Sequence, residues 1–375
     1  MATPSSLLTL LLIAGTLFRF YSSRMPARHR IIPPSSERII IFGASSGTGA
    51  AIAKYYAHRG CRHLVLVARR IEQLQEIREE CLAISKKKKG GEMDVICVSA
   101  DCTKDTDVVN VRKVILEQLG GIDTVHITLG VSALLPLLGI AGVDPVRPTT
   151  ISSPSQQQQT THASSFALSS TYTAVSRACT ANITSTALLL TTFTPILQLS
   201  SPAPAIHILS SLAALFPAPT RALYGATKAA QLILAQGFEL ETQTQAGLEG
   251  ELTPQSSTRK GIRKRVNFVY LCPGTILSGF RQSAVDVPVS AADDEDALKR
   301  AGVFDSTWDS NSTGGKKKKK SDGLRPEDVA AKAIGLVDSQ RGGVHTMKLF
   351  EFVGRIALVI APWIPARVAH KKYGY

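Results

Sequence analysis

Tyr224-Gly225-Ala226-Thr227-Lys228 sets a phenol and an ammonium one helical turn apart, so both project from one face of a helix. Ser211 lies 13 residues before Tyr224, just after the apolar run Ile206 to Leu209. These residue types can deliver a proton to a carbonyl oxygen. A free tyrosine titrates near 10, so a tyrosine acid working at neutrality needs its pKa lowered by roughly three units. Lys228, charged and close, is suited to that. Ser211 can hold the reacting oxygen.

A second group of residues is suited to a dinucleotide. The apolar, β-branched run Ile39 to Phe42 stops at Gly43-Ala44-Ser45-Ser46-Gly47-Thr48-Gly49, and a helix-competent stretch follows. Glycines let backbone N–H groups approach a pyrophosphate, and the helix N-terminus adds positive potential beneath it. The second apolar run ends Val67-Ala68-Arg69-Arg70, and the first acid is Glu72. A carboxylate at that place would bind the ribose 2′-hydroxyl of NAD. Two guanidiniums instead imply a 2′-phosphate, and hence NADP(H).

Positioning these groups requires alternating strands and helices. Strands are expected at 39–42, 64–67, 95–98, 124–128, 206–209, 266–271 and 343–348. Helices are expected at 50–58, 71–84, 108–119, 171–198, 222–242 and 326–338. This order implies an α/β protein with a Rossmann-type, doubly wound parallel sheet. Three polar, low-complexity stretches, 143–165, 243–264 and 288–322, read as insertions into a single domain spanning 38–348.

Taken together, these motifs resemble the short-chain dehydrogenase/reductase family, and most closely its membrane-tethered, hydroxysteroid-dehydrogenase-like members. The family loop is T-G-x-x-x-G-x-G, and Phe42 stands in place of its threonine. The family's N-N-A-G corresponds to Ile127-Thr128-Leu129-Gly130, so only the glycine is kept. The resemblance implies a tetrad of Asn182, Ser211, Tyr224 and Lys228. In it, Asn182 positions a water for proton relay, and Lys228 also bonds the nicotinamide ribose. It further implies that Asp101, followed by Cys102, meets the adenine ring. In Pro273-Gly274-Thr275-Ile276-Leu277-Ser278, the Ile276 backbone meets the carboxamide and Ser278 replaces the family's threonine. Phe280 to Asp286 begins the segment that covers substrate. The implied activity is NADP(H)-dependent reduction of an apolar carbonyl compound, or the reverse oxidation. Rival readings are a 3-ketosphinganine-type reductase and a catalytically idle NADP-binding membrane scaffold.

Composition narrows the setting. The chain has 375 residues, 44% of them hydrophobic, enough for a substantial core. Its six cysteines form no C-x-x-C pair, so neither a disulfide scaffold nor a zinc site is expected. The net charge of +14 is carried by three loop-like runs, Lys86 to Lys89, Arg259 to Arg265 and Lys316 to Lys320. That distribution argues against nucleic acid and for surface loops.

Residues 1–37 contain one acid, Glu37, and the apolar stretch Leu7 to Phe18, extended loosely to Tyr21. Arg19, Arg24, Arg28 and Arg30 flank it. This pattern predicts a membrane anchor with the domain held in the cytosol, at the endoplasmic reticulum. A mitochondrial presequence is the competing reading. Pro33-Pro34 read as a stiff spacer. Residues 349–375 hold an apolar segment, Ile356 to Trp363, with a basic flank that suits a membrane interface or a packing contact. The partners expected are an apolar small molecule, membrane lipid and a second copy of the chain.

Overall fold

A computed structural model describes residues 27–87, 92–144, 162–247, 249–250, 261–286 and 323–348, together with Glu351, Gly354, Arg367 and Val368. The apolar N-terminal stretch, most of the first insertion, half of the second, all of the third and the Ile356 to Trp363 segment lie outside the described residues.

Seven strands form one parallel sheet. They are β1 (Arg38–Phe42), β2 (His63–Ala68), β3 (Asp94–Ser99), β4 (Thr124–Ile127), β5 (Ala205–Leu209), β8 (Asn267–Cys272) and β9 (Gly343–Thr346). Their spatial order is β3-β2-β1-β4-β5-β8-β9. The remaining two strands, β6 (Glu249–Gly250) and β7 (Gly261–Ile262), make a short antiparallel ribbon inside the second insertion. The chain winds outward from β1 through β2 to β3, then returns to β4 on the other side of β1. Open α/β sheets bind ligands at such a reversal, beyond the carboxyl ends of the strands.

The helices are α1 (Gly47–Arg59), α2 (Ile71–Lys87), α3 (Asp105–Leu119), α4 (Leu137–Ile140), α5 (Ser165–Cys179), α6 (Ser185–Ser200), α7 (Ala222–Gln243) and α8 (Pro326–Asp338). Strand residues alternate between faces, so each strand supplies two cores. Ile39 and Ile41 pack with Ile52, Tyr56, Leu74 and Ile334 from α1, α2 and α8. Ile40 and Phe42 pack with Val111, Phe193, Leu197 and Leu232 from α3, α6 and α7. Burial on both faces explains why the strands read as continuous apolar runs rather than alternating ones.

The helix expected at 171–198 is longer and interrupted. It begins at Ser165, where the Ser164 hydroxyl accepts the Ala167 N–H at 3.2 Å. A π-helical turn, Thr180–Thr184, joins α5 to α6. The 36-residue helical run from Ser165 to Ser200 contains an 18-residue window with a mean hydropathy of 1.2, enough to cross a membrane by length and composition. Here that apolarity serves the core, because Leu189, Phe193 and Leu197 are buried against the sheet.

The packed body also begins ahead of β1. Arg28, read above as part of a basic membrane flank, is only 2% exposed. It pairs with the buried Glu37, and its other nitrogens donate to the carbonyls of Ala203 and Asp123, each at 2.8 Å. The segment around Pro33-Pro34 is therefore docked at the amino ends of the strands and is not a free spacer.

Candidate active site

The carboxyl end of β1 turns sharply at Gly43, which has φ +85°. A side chain at Gly43 would strike the Leu129 backbone, and one at Gly49 would sit 2.2 Å from the Gly43 carbonyl oxygen. The loop therefore closes on itself so tightly that only hydrogens fit, and α1 starts directly beneath it. Ser46 precedes the helix, Gly47 has φ +54° and Thr48 is buried. Exposed backbone at a helix N-terminus beside a bare cradle suits a pyrophosphate. The threonine hydroxyl that the family loop carries is missing at Phe42. At the same joint, Thr128 donates its hydroxyl to the Phe42 carbonyl at 2.7 Å, tying β1 to β4 from the opposite side.

The residues expected at the adenosine end follow the carboxyl ends of β2 and β3. Arg70 reaches back to donate to the Ser45 hydroxyl at 3.3 Å, and the exposed Arg69 accepts the Ser99 hydroxyl on its carbonyl. Asp101 accepts the N–H and hydroxyl of Thr103 on one oxygen, at 3.1 and 2.8 Å. Partial burial works against its charge, but the Thr103 bonds, with Arg69 and Lys104 nearby, hold the carboxyl below its ordinary range. Burial pushes the neighbouring Cys102 thiol up to about 12, so it is an inert wall residue.

Beyond β8, Ser278 stands 3.5 Å from where a Gly47 side chain would be, so the two glycine-flanked turns face each other. Leu277 and Leu324 exchange backbone bonds with this segment, and the Pro273 carbonyl accepts the Leu212 N–H. Gly274 and Ile276 are thereby fixed next to the turn that carries Ser211. A cavity of about 550 Å³ opens on the α1 side of the loop, lined by Ser46, Gly47, Lys54, Ser278 and Glu327.

The residues expected to handle a proton lie near the ends of β4 and β5. Ser211 follows β5 and caps a short 3₁₀ turn by accepting the Ala213 N–H at 3.1 Å. That turn presses on the start of α7, where a Gly225 side chain would lie 2.9 Å from the Ala213 carbonyl oxygen. Sequence reading passed over Gly225, although its place beside Tyr224 was the signal. Tyr224 packs edge-on against Phe280, with ring centroids 5.9 Å apart. Lys228 is buried one turn along, and its ammonium donates to the Leu209 carbonyl at 3.1 Å and to the Gln231 side-chain oxygen at 2.9 Å. Burial is the main cause that lowers its pKa, to about 8. At neutrality it still carries its charge. Gly130 has no side chain, and one there would sit 3.3 Å from the Lys228 nitrogen. This glycine is the part of N-N-A-G that the chain keeps.

Asn182 occupies the π turn and is completely buried. Its oxygen accepts the Val131 N–H at 2.8 Å, while its two N–H bonds go to the Val131 carbonyl and the Thr227 hydroxyl. Both donors are spent, so one lone pair of Oδ1 is all that remains for a water. Its side chain braces the segment after β4 against α7.

The cover over this region is clasped shut. Asp286 accepts the N–H groups of Leu134 and Leu135, each at 2.7 Å, and Arg221 donates to the Ala133 carbonyl at 3.1 Å. Sequence reading passed over Arg221 and took Asp286 only as the end of the segment expected to cover substrate, because each acts on backbone brought close only by the fold. Ala133, Ala174, Leu223 and Val285 form an apolar cluster against which Tyr224 packs.

The sheet and its flanking helices define a doubly wound, Rossmann-type α/β protein. A family model described as short chain dehydrogenase matches residues 37–246, more than half of the chain, and the chain belongs to that family. Among curated relatives, a Dictyostelium discoideum dehydrogenase/reductase SDR family protein 7-like is 29% identical over 139 residues, covering 36% of this chain and 43% of that protein. A Xenopus laevis hydroxysteroid 11-beta-dehydrogenase 1-like protein A is 32% identical over 123 residues, covering 33% and 39% respectively. The matched regions thus span less than half of these relatives. A solved Burkholderia phymatum short chain dehydrogenase/reductase in complex with NAD shares the fold, with a TM-score of 0.58, 16% identity and coverage of 89% and 96%. An alcohol dehydrogenase of Thermococcus sibiricus, complexed with 5-hydroxy-NADP, gives a TM-score of 0.53 at 19% identity, covering 84% and 96%.

Proposed function

We propose that this chain is an NADP(H)-dependent oxidoreductase that reduces the carbonyl group of an apolar, lipid-like compound, or oxidises the corresponding alcohol. The observation that carries the reading is the buried Lys228 ammonium, one turn from Tyr224, where β4 and β5 end beside the glycine cradle. Gly43, Ser45, Ser46, Gly47, Thr48 and Gly49 would hold the pyrophosphate, and Arg69 and Arg70 the 2′-phosphate. Asp101 and Cys102 would flank the adenine. Gly130, Pro273, Gly274, Ile276 and Ser278 would line the nicotinamide end.

The chemistry that NADPH would bring to this site when bound is hydride donation to a carbonyl carbon. Ser211 holds the carbonyl oxygen, and Tyr224 gives it a proton. The Lys228 charge stabilises the tyrosinate left behind, which is the electrostatic effect the reaction needs. Asn182 keeps Val131 and α7 in register, so the groups around Lys228 do not drift. The apolar cluster beneath Tyr224 and the Phe280 ring favour a hydrocarbon surface beside the reacting carbon. Such substrates partition into membranes, which agrees with residues 7–21 serving as an anchor and with a membrane-associated domain. The exposed, apolar faces of α5 and α7, with Phe166, Tyr172, Ile233 and Leu240, suit pairing with a second copy.

The test is turnover. Full-length protein in detergent is screened with steroid, retinoid and long-chain ketones while NADPH absorbance is followed. Wild type should consume NADPH with at least one of these. Tyr224→Phe should lose that turnover by a factor of about 10²–10⁴, as expected for a removed general acid, yet still bind NADPH. A Tyr224→Phe variant with wild-type turnover would overturn the assignment of the proton donor.

A further inference from the structure

Gln231 lies one turn beyond Lys228 on α7 and is completely buried. Its amide oxygen accepts from the Lys228 ammonium at 2.9 Å, and its amide nitrogen donates to the Thr186 hydroxyl at 2.7 Å. Thr186, on α6, donates its single proton to the Asn182 carbonyl at 2.9 Å. That bond fixes the direction of every other bond in the chain. With its proton committed, the Thr186 hydroxyl can only accept, so it must receive an N–H from Gln231. The Gln231 oxygen is thereby forced toward the ammonium. An amide turned the other way would set its oxygen against the Thr186 lone pair and its N–H groups against the lysine ammonium. Asn182, Thr186 and Gln231 are all inaccessible to solvent, so bulk water does not compete for these bonds.

A buried ammonium costs much unless acceptors surround it. Lys228 has two inside the protein, the Leu209 carbonyl and Gln231. An ammonium has three N–H bonds, and Gly130 leaves room on one further side. Among the groups around it, Tyr224 on the same helix and Cys272 on β8 can titrate. The neighbours from the π turn and the segment after β4, Asn182 and Gly130, cannot.

We propose that Gln231 is a positioning residue of the active site: through the ordered chain Gln231–Thr186–Asn182 it supplies a fixed acceptor that holds the Lys228 ammonium in place beneath Tyr224. The inference rests on the reading of Tyr224 and Lys228 as the proton-handling pair. Gln231 touches neither substrate nor cofactor. Its effect passes through Lys228: a lysine deprived of this acceptor holds its proton less tightly and stabilises a tyrosinate less well.

The titration of Tyr224 tests this without a substrate. Full-length protein in detergent is titrated with alkali while tyrosinate absorbance is recorded. The chain has 8 tyrosines, so the Tyr224 signal is taken as each protein minus the same protein carrying Tyr224→Phe. In wild type the Tyr224 midpoint should lie below the ordinary value near 10. Gln231→Met, of similar volume but without an acceptor oxygen, should raise that midpoint by about one unit, the size expected for one lost charge-assisted bond. Thr186→Val frees the Gln231 amide to turn and should raise the midpoint by less, although Thr186 does not touch Lys228. A residue with only a packing role would lower thermal stability and leave the Tyr224 midpoint where it was. If Gln231→Met fails to fold, Thr186→Val decides. A depressed wild-type midpoint that the folded variants do not move would overturn the inference. A wild-type midpoint at the ordinary value would instead overturn the proton-donor reading itself.

Discussion

The ring nitrogens Nδ1 of His126 and Nδ1 of His207 lie 3.1 Å apart across the paired strands β4 and β5. Both rings are fully buried, and His126 is bonded on its far side to the Tyr56 hydroxyl at 2.9 Å. Two rings that share one hydrogen bond in this way cannot both be charged. Burial is the main cause that lowers both pKa values, aided for His126 by its neighbour, and His207 falls to about 3.

This pair should make the protein acid-labile. An unfolded histidine titrates near 6.5. Between that value and about 3, the unfolded chain binds protons at these sites that the folded chain refuses. Stability is therefore complete above about pH 6.5 and falls as pH drops below it. With both sites engaged, the slope approaches about 2.7 kcal/mol per pH unit. Urea unfolding from pH 7 to 4 measures it. His207→Gln should cut the slope by up to half, and an unchanged slope would place the acid sensitivity elsewhere.

The phosphate cradle makes a second prediction. The Cβ of Gly49→Ala would lie 2.2 Å from the Gly43 carbonyl oxygen, a backbone atom that cannot swing aside. The loop must shift, at a cost of about 1–3 kcal/mol for overpacking, and the cradle should lose NADPH affinity by tenfold or more. Gly60 is the control. It ends α1 at φ +80° with nothing within reach of an added Cβ. Gly60→Ala should cost about 1 kcal/mol through backbone strain and leave the affinity unchanged. Fluorescence titration with NADPH, alongside thermal unfolding, separates the two effects.

The sheet was legible in sequence, and the candidate site residues could be picked out, because local signals carried them. Continuous apolar runs marked the strands, and glycine spacing and the Tyr224–Lys228 turn marked the chemistry. What was not legible depends on contacts between distant residues. Gln231 carries no local signal in the sequence, and only Thr186, 45 residues away, gives its amide a direction. Asp286 likewise finds its partners 152 and 151 residues earlier. The relay role of Asn182 came from its place in the family pattern, but its side-chain bonds to Val131 and Thr227 could not be read from sequence.

Arg28 is the sharpest case, since charge beside an apolar stretch reads as a membrane flank. Burial with Glu37 makes it a structural pin instead. Arg28→Met should leave the Glu37 carboxylate buried with the Thr124 hydroxyl as its remaining named partner. Breaking one side of a buried pair costs about 3–5 kcal/mol. Removing both charges, as Arg28→Met with Glu37→Leu, should recover most of that loss. Urea denaturation of a fragment starting at residue 27 tests it, and a single variant as stable as its parent would show the pin to be dispensable.

The choice of cofactor depends on two arginines at the end of β2. Arg70 is exposed, and its guanidinium is already directed at the glycine loop through Ser45, at 3.3 Å. Arg69 is exposed beside it and is electrically coupled to Asp101. No carboxylate occupies the position after Ala68 that would greet a free 2′-hydroxyl, so the pocket should favour a phosphate over a hydroxyl there. One charge-assisted contact is worth about 1.5–3 kcal/mol. Arg70→Ala should therefore weaken NADPH binding by about tenfold or more while leaving NADH binding nearly unchanged, and Arg69→Ala should act in the same direction. Because both side chains are exposed, the NADPH preference should also shrink as salt rises. Titrating both cofactors against wild type and each variant, at low and at physiological salt, measures every part of this. If the ratio of the two affinities survives both substitutions, the arginines are surface residues and the 2′-phosphate, if it is bound at all, is held by other groups.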